Sequence, residues 1–247
     1  MACAFVPLDR LIFFPDPDVP APPPGVEERW IMTADQFRLH AWYAAGPAAS
    51  ATLIWSHGNG GNIAGRVDVL LALAAQGLNV VAYDYRGYGR SGGRPHEAGV
   101  YLDAEAAYDD ARARGVAAER LIAFGESIGG AVAIRLAERR PCAGVAVVST
   151  FTRMRDVARH HYGPFGMLAG NRFDSLARLP GLAVPVFAAH GDADEVVPFA
   201  LGERLFAAAR EPKRFFRAAG AHHNDVFSSP GLVEAIGTFA RQATGGD

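Results

Sequence analysis

Cysteine occurs twice in 247 residues and lysine once, against 23 arginines. Two cysteines, Cys3 and Cys142, cannot build the disulfide framework of a small stapled secreted scaffold. Cys142 precedes an apolar run and reads as a small buried hydrophobe. A basic surplus is missing as well: Lys plus Arg number 24 and Asp plus Glu 26, a formal charge of −2. Little is then available to neutralise a phosphate backbone, and nucleic acid is not expected as a partner. No uninterrupted run of about 18 apolar residues exists, so no membrane-spanning helix is expected. The opening MACAFVPLDRLIFFPDPD has no positive leader, and Pro7, Asp9 and Arg10 interrupt its apolar character, which argues against a signal peptide. A cytoplasmic location is the expectation, with peripheral membrane contact left open through Phe13 and Phe14.

What is present is ordinary globular composition, 50% hydrophobic and 20% charged. Residues 15–25, PDPDVPAPPPG, form a proline-rich arm that suits neither a helix nor a central strand. Segments 28–33 and 37–43 read as a hairpin. Apolar runs at 51–56, 79–84, 120–124, 143–148 and 184–189 then read as buried strands, and the more polar 213–218 as an edge strand. Helical stretches fall around 64–76, 97–114, 128–140, 199–210 and 231–243. The helix 97–114 has leading acids and trailing arginines, the pattern of a solvated face. The alternation predicts an α/β fold: a mostly parallel sheet with helices on both faces. Residues 151–180 are too long and mixed for one crossover helix and read as a cap over the carboxyl ends of the strands. One domain over 1–247 follows, with an arm of about 1–25 and a cap of about 151–180.

The strongest chemical signal is Gly125-Glu126-Ser127-Ile128-Gly129, a G-x-S-x-G between the strand RLIAF and the helix IGGAVAIRLAERR. Strand, turn and helix in that order are the setting of a nucleophile elbow. So tight a turn leaves no room for side chains two residues either side of the serine, which suits Gly125 and Gly129. The serine hydroxyl then stands at a helix N-terminus, where the Ile128 N–H can stabilise developing negative charge. A serine nucleophile needs a histidine to take its proton and a carboxylate to orient that histidine. Five histidines follow Ser127: His160, His161, His190, His222 and His223. The acids of His190-Gly191-Asp192-Ala193-Asp194-Glu195 and the imidazoles of His222-His223 both lie in loops after strands, on the functional edge.

The segments HGNGGN at 57–62, DYRGYGRSGG at 84–93, GESIGG at 125–130, NRFDSL at 171–176, HGDADEVVP at 190–198 and HHND at 222–225 together resemble the α/β-hydrolases. In particular they resemble the α/β-hydrolase-domain serine hydrolases, a group with protein depalmitoylases and bacterial relatives. The resemblance covers about residues 12 to 240 and implies an eight-stranded α/β-hydrolase fold. It implies Asp194 as catalytic acid, with Asp192 a loop residue and Glu195 facing solvent. It implies His223 as base, and it gives the second oxyanion donor to Asn59, with His57 bracing that loop. The chain departs from the family where His222 stands in place of glycine.

A serine hydrolase acting on a small-molecule ester or thioester through an acyl-enzyme is the functional expectation, with no cofactor and no metal. Phe151, Met154, Tyr162, Phe165, Met167 and Leu168 suggest an apolar acyl pocket in the cap. A lipase- or peptidase-type acyl hydrolase on the same triad and a non-catalytic binding protein of the same fold are the alternatives. A dehalogenase or epoxide hydrolase would carry Asp at the elbow. The Gly87-Tyr88-Gly89-Arg90-Ser91-Gly92 motif is not followed at once by a helix, as a dinucleotide fingerprint requires. Adjacent His160-His161 and His222-His223 project apart and are poor metal ligands.

Overall fold

The computed structural model describes residues 12–246. Cys3 and the reading of the first eleven residues as no signal peptide lie outside that range. The eight strands of the main sheet are β1 (Val26–Met32), β2 (Arg38–Ala44), β3 (Ala51–Ser56), β4 (Leu78–Tyr83), β5 (Leu121–Glu126), β6 (Gly144–Val148), β7 (Val186–Gly191) and β8 (Lys213–Ala218). They lie side by side in the order β8-β7-β6-β5-β3-β4-β2-β1. From β8 to β4 every neighbour is parallel, while β2 runs antiparallel to both β1 and β4. The helices are α1 (Val67–Ala75), α2 (Glu97–Ala113), α3 (Ile128–Arg139), α4 (Met154–Tyr162), α5 (Phe199–Ala208) and α6 (Leu232–Ala243), besides shorter turns.

Alternation along the strands makes two cores. Ile54, Val81, Ala123 and Val145 face the side covered by α2, α3 and α5, and Leu53, Val80, Ile122 and Phe124 face α1 and α6. Both faces are therefore apolar, which is why the central strands read as continuous hydrophobic runs. The expected 184–189 strand starts later, at Val186, because Pro185 has no N–H for the ladder; its carbonyl accepts from Val145 N at 3.0 Å. The expected 64–76 helix opens as a 3₁₀ turn, Ile63–Arg66, capped by the Asn62 side chain on Ala64 N.

Two expectations change. The face of α2 is not wholly solvated: Asp103 is buried and takes the Arg86 backbone N–H and guanidinium at 2.8–2.9 Å. Arg86 is buried too and reaches Asp35 on the hairpin turn. Charge order along a helix reports the dipole but not which turn meets a buried arginine. The Phe13-Phe14 pair splits, with Phe13 buried edge-on against Tyr88 and Phe173 and Phe14 exposed. The arm enters neither helix nor main sheet; Phe14–Pro15 form a two-residue parallel bridge with Gly60–Gly61.

Candidate active site

Strand β5 runs into Ser127 at φ 51°, ψ −121°, and α3 opens on the next residue. That left-handed conformation strains a residue with a Cβ and lifts its side chain above the sheet edge. The flanking glycines are steric necessities: a Cβ on Gly125 would strike the Gly129 carbonyl, and one on Gly129 the Ser56 carbonyl. Ser127 N donates to Val148 O and Thr150 Oγ1 donates to Ser127 O at 2.7 Å, so the elbow is held from the β6 side.

The loops after β7 and β8 meet over the same edge, joined by Ala193 N to Ala221 O. His223 Nε2 stands 3.1 Å from Ser127 Oγ, and His223 Nδ1 stands 2.7 Å from Asp194 Oδ2. Asp194 Oδ1 accepts Val196 N at 2.9 Å and Val197 N at 2.7 Å. Burial alone would raise the Asp194 carboxyl, but hydrogen bonds from His190 and His223, the His223 charge and the Val197 N–H outweigh it and hold it well below the usual carboxylate range. An ionised Asp194 keeps the imidazole proton on Nδ1, leaving the Nε2 lone pair toward the serine.

Asp192 binds Arg217 and Gly220 N, while Glu195 is exposed and pairs with His222 Nδ1 at 2.9 Å. That exposed pair raises His222 above its ordinary value, first through the Glu195 hydrogen bond. The structure thus brings Ser127, His223 and Asp194 into one bonded chain and turns His222 away from it. His160 and His161 lie in the cap, and His161 Nε2 bonds Val196 O. Asn59 and Ile128 both border the cleft beside Ser127.

His57 is buried, with Nδ1 2.6 Å from Gly58 O and its ring against Tyr85 and Tyr88. Burial, with the Arg66 charge adding to it, drives its imidazole well below the usual range, so it is neutral. Tyr88 holds Asn59 from behind, its hydroxyl 2.8 Å from the backbone oxygen. The DYRGYGRSGG loop therefore stands behind the cleft, and none of its residues is in the cleft lining.

Sequence reasoning missed four supporting residues. Glu126 Oε1 accepts both Gly58 N at 2.7 Å and Arg66 Nε at 2.8 Å, and Arg66 Nη1 donates to Gly60 O and Asn62 O. The variable position of the G-x-S-x-G thereby ties the elbow to the loop carrying Asn59. His190 lies under Asp194 with Nε2 3.2 Å from Oδ2, and Thr150 braces the elbow. Arg66 looks like any helix arginine in sequence; the acid beside the serine was the one available cue. The arm contributes as well, through Asn62 Nδ2 to Asp16 O and Asp18 O and Phe14 N to Asn59 Oδ1.

The cleft above Ser127 holds about 790 Å³ and is lined on its apolar side by Phe151, Met154, Val157, Val196, Val226 and Phe227. Of the six cap residues expected to form an apolar pocket, two border this cleft. Phe151 and Met154 line it, whereas Tyr162, Phe165, Met167 and Leu168 are exposed and outside it. The reason is local: Gly166 and Ala169 take the inward positions of the turn that follows α4, with Gly166 packed against the α4 backbone, and the large side chains on either side of Gly166 face outward. Among the described residues no group of three or more His, Cys, Asp or Glu side chains is spaced to hold a metal ion. No helix among them is long and apolar enough to cross a membrane.

A mixed eight-stranded sheet in this strand order, helices on both faces and a serine elbow at the carboxyl edge define the α/β-hydrolase fold. The chain belongs to the α/β-hydrolase family whose model is described as serine aminopeptidase, S33, which matches residues 47–177. It is 38% identical over 242 residues to protein Rv2307c of Mycobacterium tuberculosis, covering 93% of this chain and 86% of that one. It is 32% identical over 202 residues to α/β-hydrolase domain-containing protein 17B of Xenopus laevis, covering 79% of this chain and 68% of that one. The solved Pyrococcus furiosus esterase Pf2001 superposes with a TM-score of 0.77 at 20% identity, over 94% of this chain and 99% of the esterase, which establishes the fold they share.

Proposed function

We propose that the chain is a serine hydrolase that cleaves carboxylic ester or thioester bonds through an acyl-enzyme. The observation that carries this reading is the bonded series from Asp194 through His223 to Ser127 at the floor of an open cleft. In the first step His223 Nε2 takes the Ser127 proton as Oγ attacks the carbonyl carbon. The backbone N–H groups of Ile128 and Asn59 receive the oxygen that gains charge. As the tetrahedral centre collapses, the alkoxide or thiolate leaves with the proton from His223. Water, deprotonated by the same imidazole, then attacks the acyl-enzyme, and Ser127 recovers its proton as the acid departs. Every proton passes through one nitrogen, and no cofactor enters.

The apolar wall of Phe151, Met154 and Val157 favours a small-molecule substrate with an acyl chain over a polar peptide, although the matching family model bears a peptidase description. The esterase named among the similar structures agrees with that preference. A cytoplasmic location belongs to the same proposal and rests on cysteine usage, with Cys142 half-buried and its thiol pushed up to about 11 by burial. The test is covalent labelling with a fluorophosphonate probe, mapped by peptide mass. Wild-type protein is expected to carry the probe on Ser127 and to hydrolyse p-nitrophenyl esters, and Ser127→Ala to do neither. Absence of label on the wild type would remove the hydrolase reading and leave a binding protein of this fold.

A further inference from the structure

Eight large apolar side chains are exposed among the described residues, and four of them fall within seven consecutive positions of the cap. Tyr162, Phe165, Met167 and Leu168 are 71, 77, 53 and 77% exposed. They are not a loose tip. Helix α4 ends at Gly163, φ 56°, and the chain doubles back as a 3₁₀ turn, Gly163–Ala169. Gly166 and Ala169 of that turn are buried, and a Cβ on Gly166 would strike the backbone of Ala158 and Arg159. The small residues face inward, so the large ones are held outward as a ridge. A fixed apolar ridge of this kind costs solubility unless something covers it.

Charge decides what covers it. Residues 151–172 contain Arg153, Arg155, Arg159 and Arg172 against Asp156 alone, a formal +3 in a chain of −2, so the rest of the molecule carries −5. Arg153 is paired with Asp174 and Arg155 lies 3.9 Å from Asp156, while Arg159 is exposed at the foot of the ridge beside His160 and His161. Two copies meeting through this face would set Arg155 and Arg159 of one against Arg155 and Arg159 of the other. A surface that is apolar within and anionic at its rim fits both features at once, as an interfacial helix does on a membrane.

We propose that the cap ridge docks on an anionic lipid surface, with Phe165 and Leu168 entering the headgroup–acyl boundary and Arg155 and Arg159 facing lipid phosphates. The same cap walls the cleft through Phe151, Met154 and Val157, so docking brings the cleft to the lipid interface. The peripheral contact left open at Phe13 and Phe14 moves to the cap, since Phe13 is buried.

The test is cosedimentation of the full chain with vesicles of phosphatidylcholine alone or mixed with an equal amount of phosphatidylglycerol. Wild type is expected to bind the mixed vesicles about tenfold or more tightly than the neutral ones. Phe165→Glu/Leu168→Glu is expected to weaken binding to the mixed vesicles by at least about tenfold, with an unchanged circular dichroism spectrum and unchanged hydrolysis of a short soluble ester. Arg155→Gln/Arg159→Gln should lose affinity for the mixed vesicles only. Ser127→Ala should bind like wild type, which keeps this outcome separate from the hydrolase reading. Wild type left in the supernatant with both vesicles, or Glu variants that bind undiminished, overturns the proposal. So does a wild-type dimer that the Glu substitutions convert to monomer in sedimentation velocity, because the ridge then belongs to a second copy.

Discussion

His223 and His222 are adjacent in sequence and opposite in circumstance. One is set between Ser127 and Asp194, and the other sits in solvent with Glu195. Removing the first takes away the proton acceptor, whereas an exposed pair such as the second contributes little. His223→Ala is therefore expected to lower kcat for a p-nitrophenyl ester by about 10⁴-fold or more, and His222→Ala to change it less than about threefold. Steady-state kinetics on the two variants decides the assignment, and the reverse order would make His222 the base. Glu126 acts through other groups: its carboxylate fixes Gly58 N and Arg66, and with them the loop that presents Asn59. Loss of that tether should be felt where the oxyanion forms. Glu126→Ala is expected to lower kcat about ten- to a hundredfold with KM little changed, and Glu126→Gln, which still accepts from Gly58 N, to recover part of it. An equal rise in KM would assign Glu126 to substrate binding instead.

Among the elements, the strands and helices of the sheet layer were legible because apolar periodicity reports burial directly. Runs buried on both faces, such as ATLIWS in β3, can belong only to a covered sheet. Helix α2 was legible as a helix and misread as a surface. Its Asp103 is one acid among several in sequence, and only the approach of the 84–93 loop puts the Arg86 guanidinium against it. Both partners are buried, so deleting Asp103 removes three hydrogen bonds from Arg86 and leaves its guanidinium with Asp35 as the remaining carboxylate. Asp103→Ala is expected to destabilise the fold by about 3–5 kcal/mol. For a chain of this size that lowers the melting temperature by roughly 6–20 °C. Differential scanning calorimetry checks it, and an unchanged transition would show that the pair contributes nothing net. The cap is the element least visible in sequence, since its apolar residues divide between cleft wall and outer ridge according to where Gly163 and Gly166 turn the chain.

At the scale of the whole molecule, Phe151, Phe173 and Leu179 of the cap segment join the same core as the sheet and α2. On that ground we propose that the chain unfolds as one domain with a single calorimetric transition. Its acid limit should carry the mark of Asp194, whose carboxyl is held below its ordinary 3.8 in the folded state. A depressed carboxyl stabilises the fold fully above 3.8, and the contribution fades as pH falls from there through the folded value. The melting temperature of wild type is expected to drop more steeply below pH 3.8 than that of Asp194→Asn, and parallel curves would refute the linkage. Sequence alone determined the sheet, the elbow and Ser127, because burial periodicity and the steric demand for Gly125 and Gly129 are local properties of the chain. The resemblance at HHND pointed to His223, and tertiary structure brings that imidazole to Ser127 across 96 residues. Tertiary structure alone decided that Glu126 and Arg66 bind the loop beside it and which cap residues face the cleft or the solvent, because these are distances between segments remote in sequence, set by how strands order and loops pack.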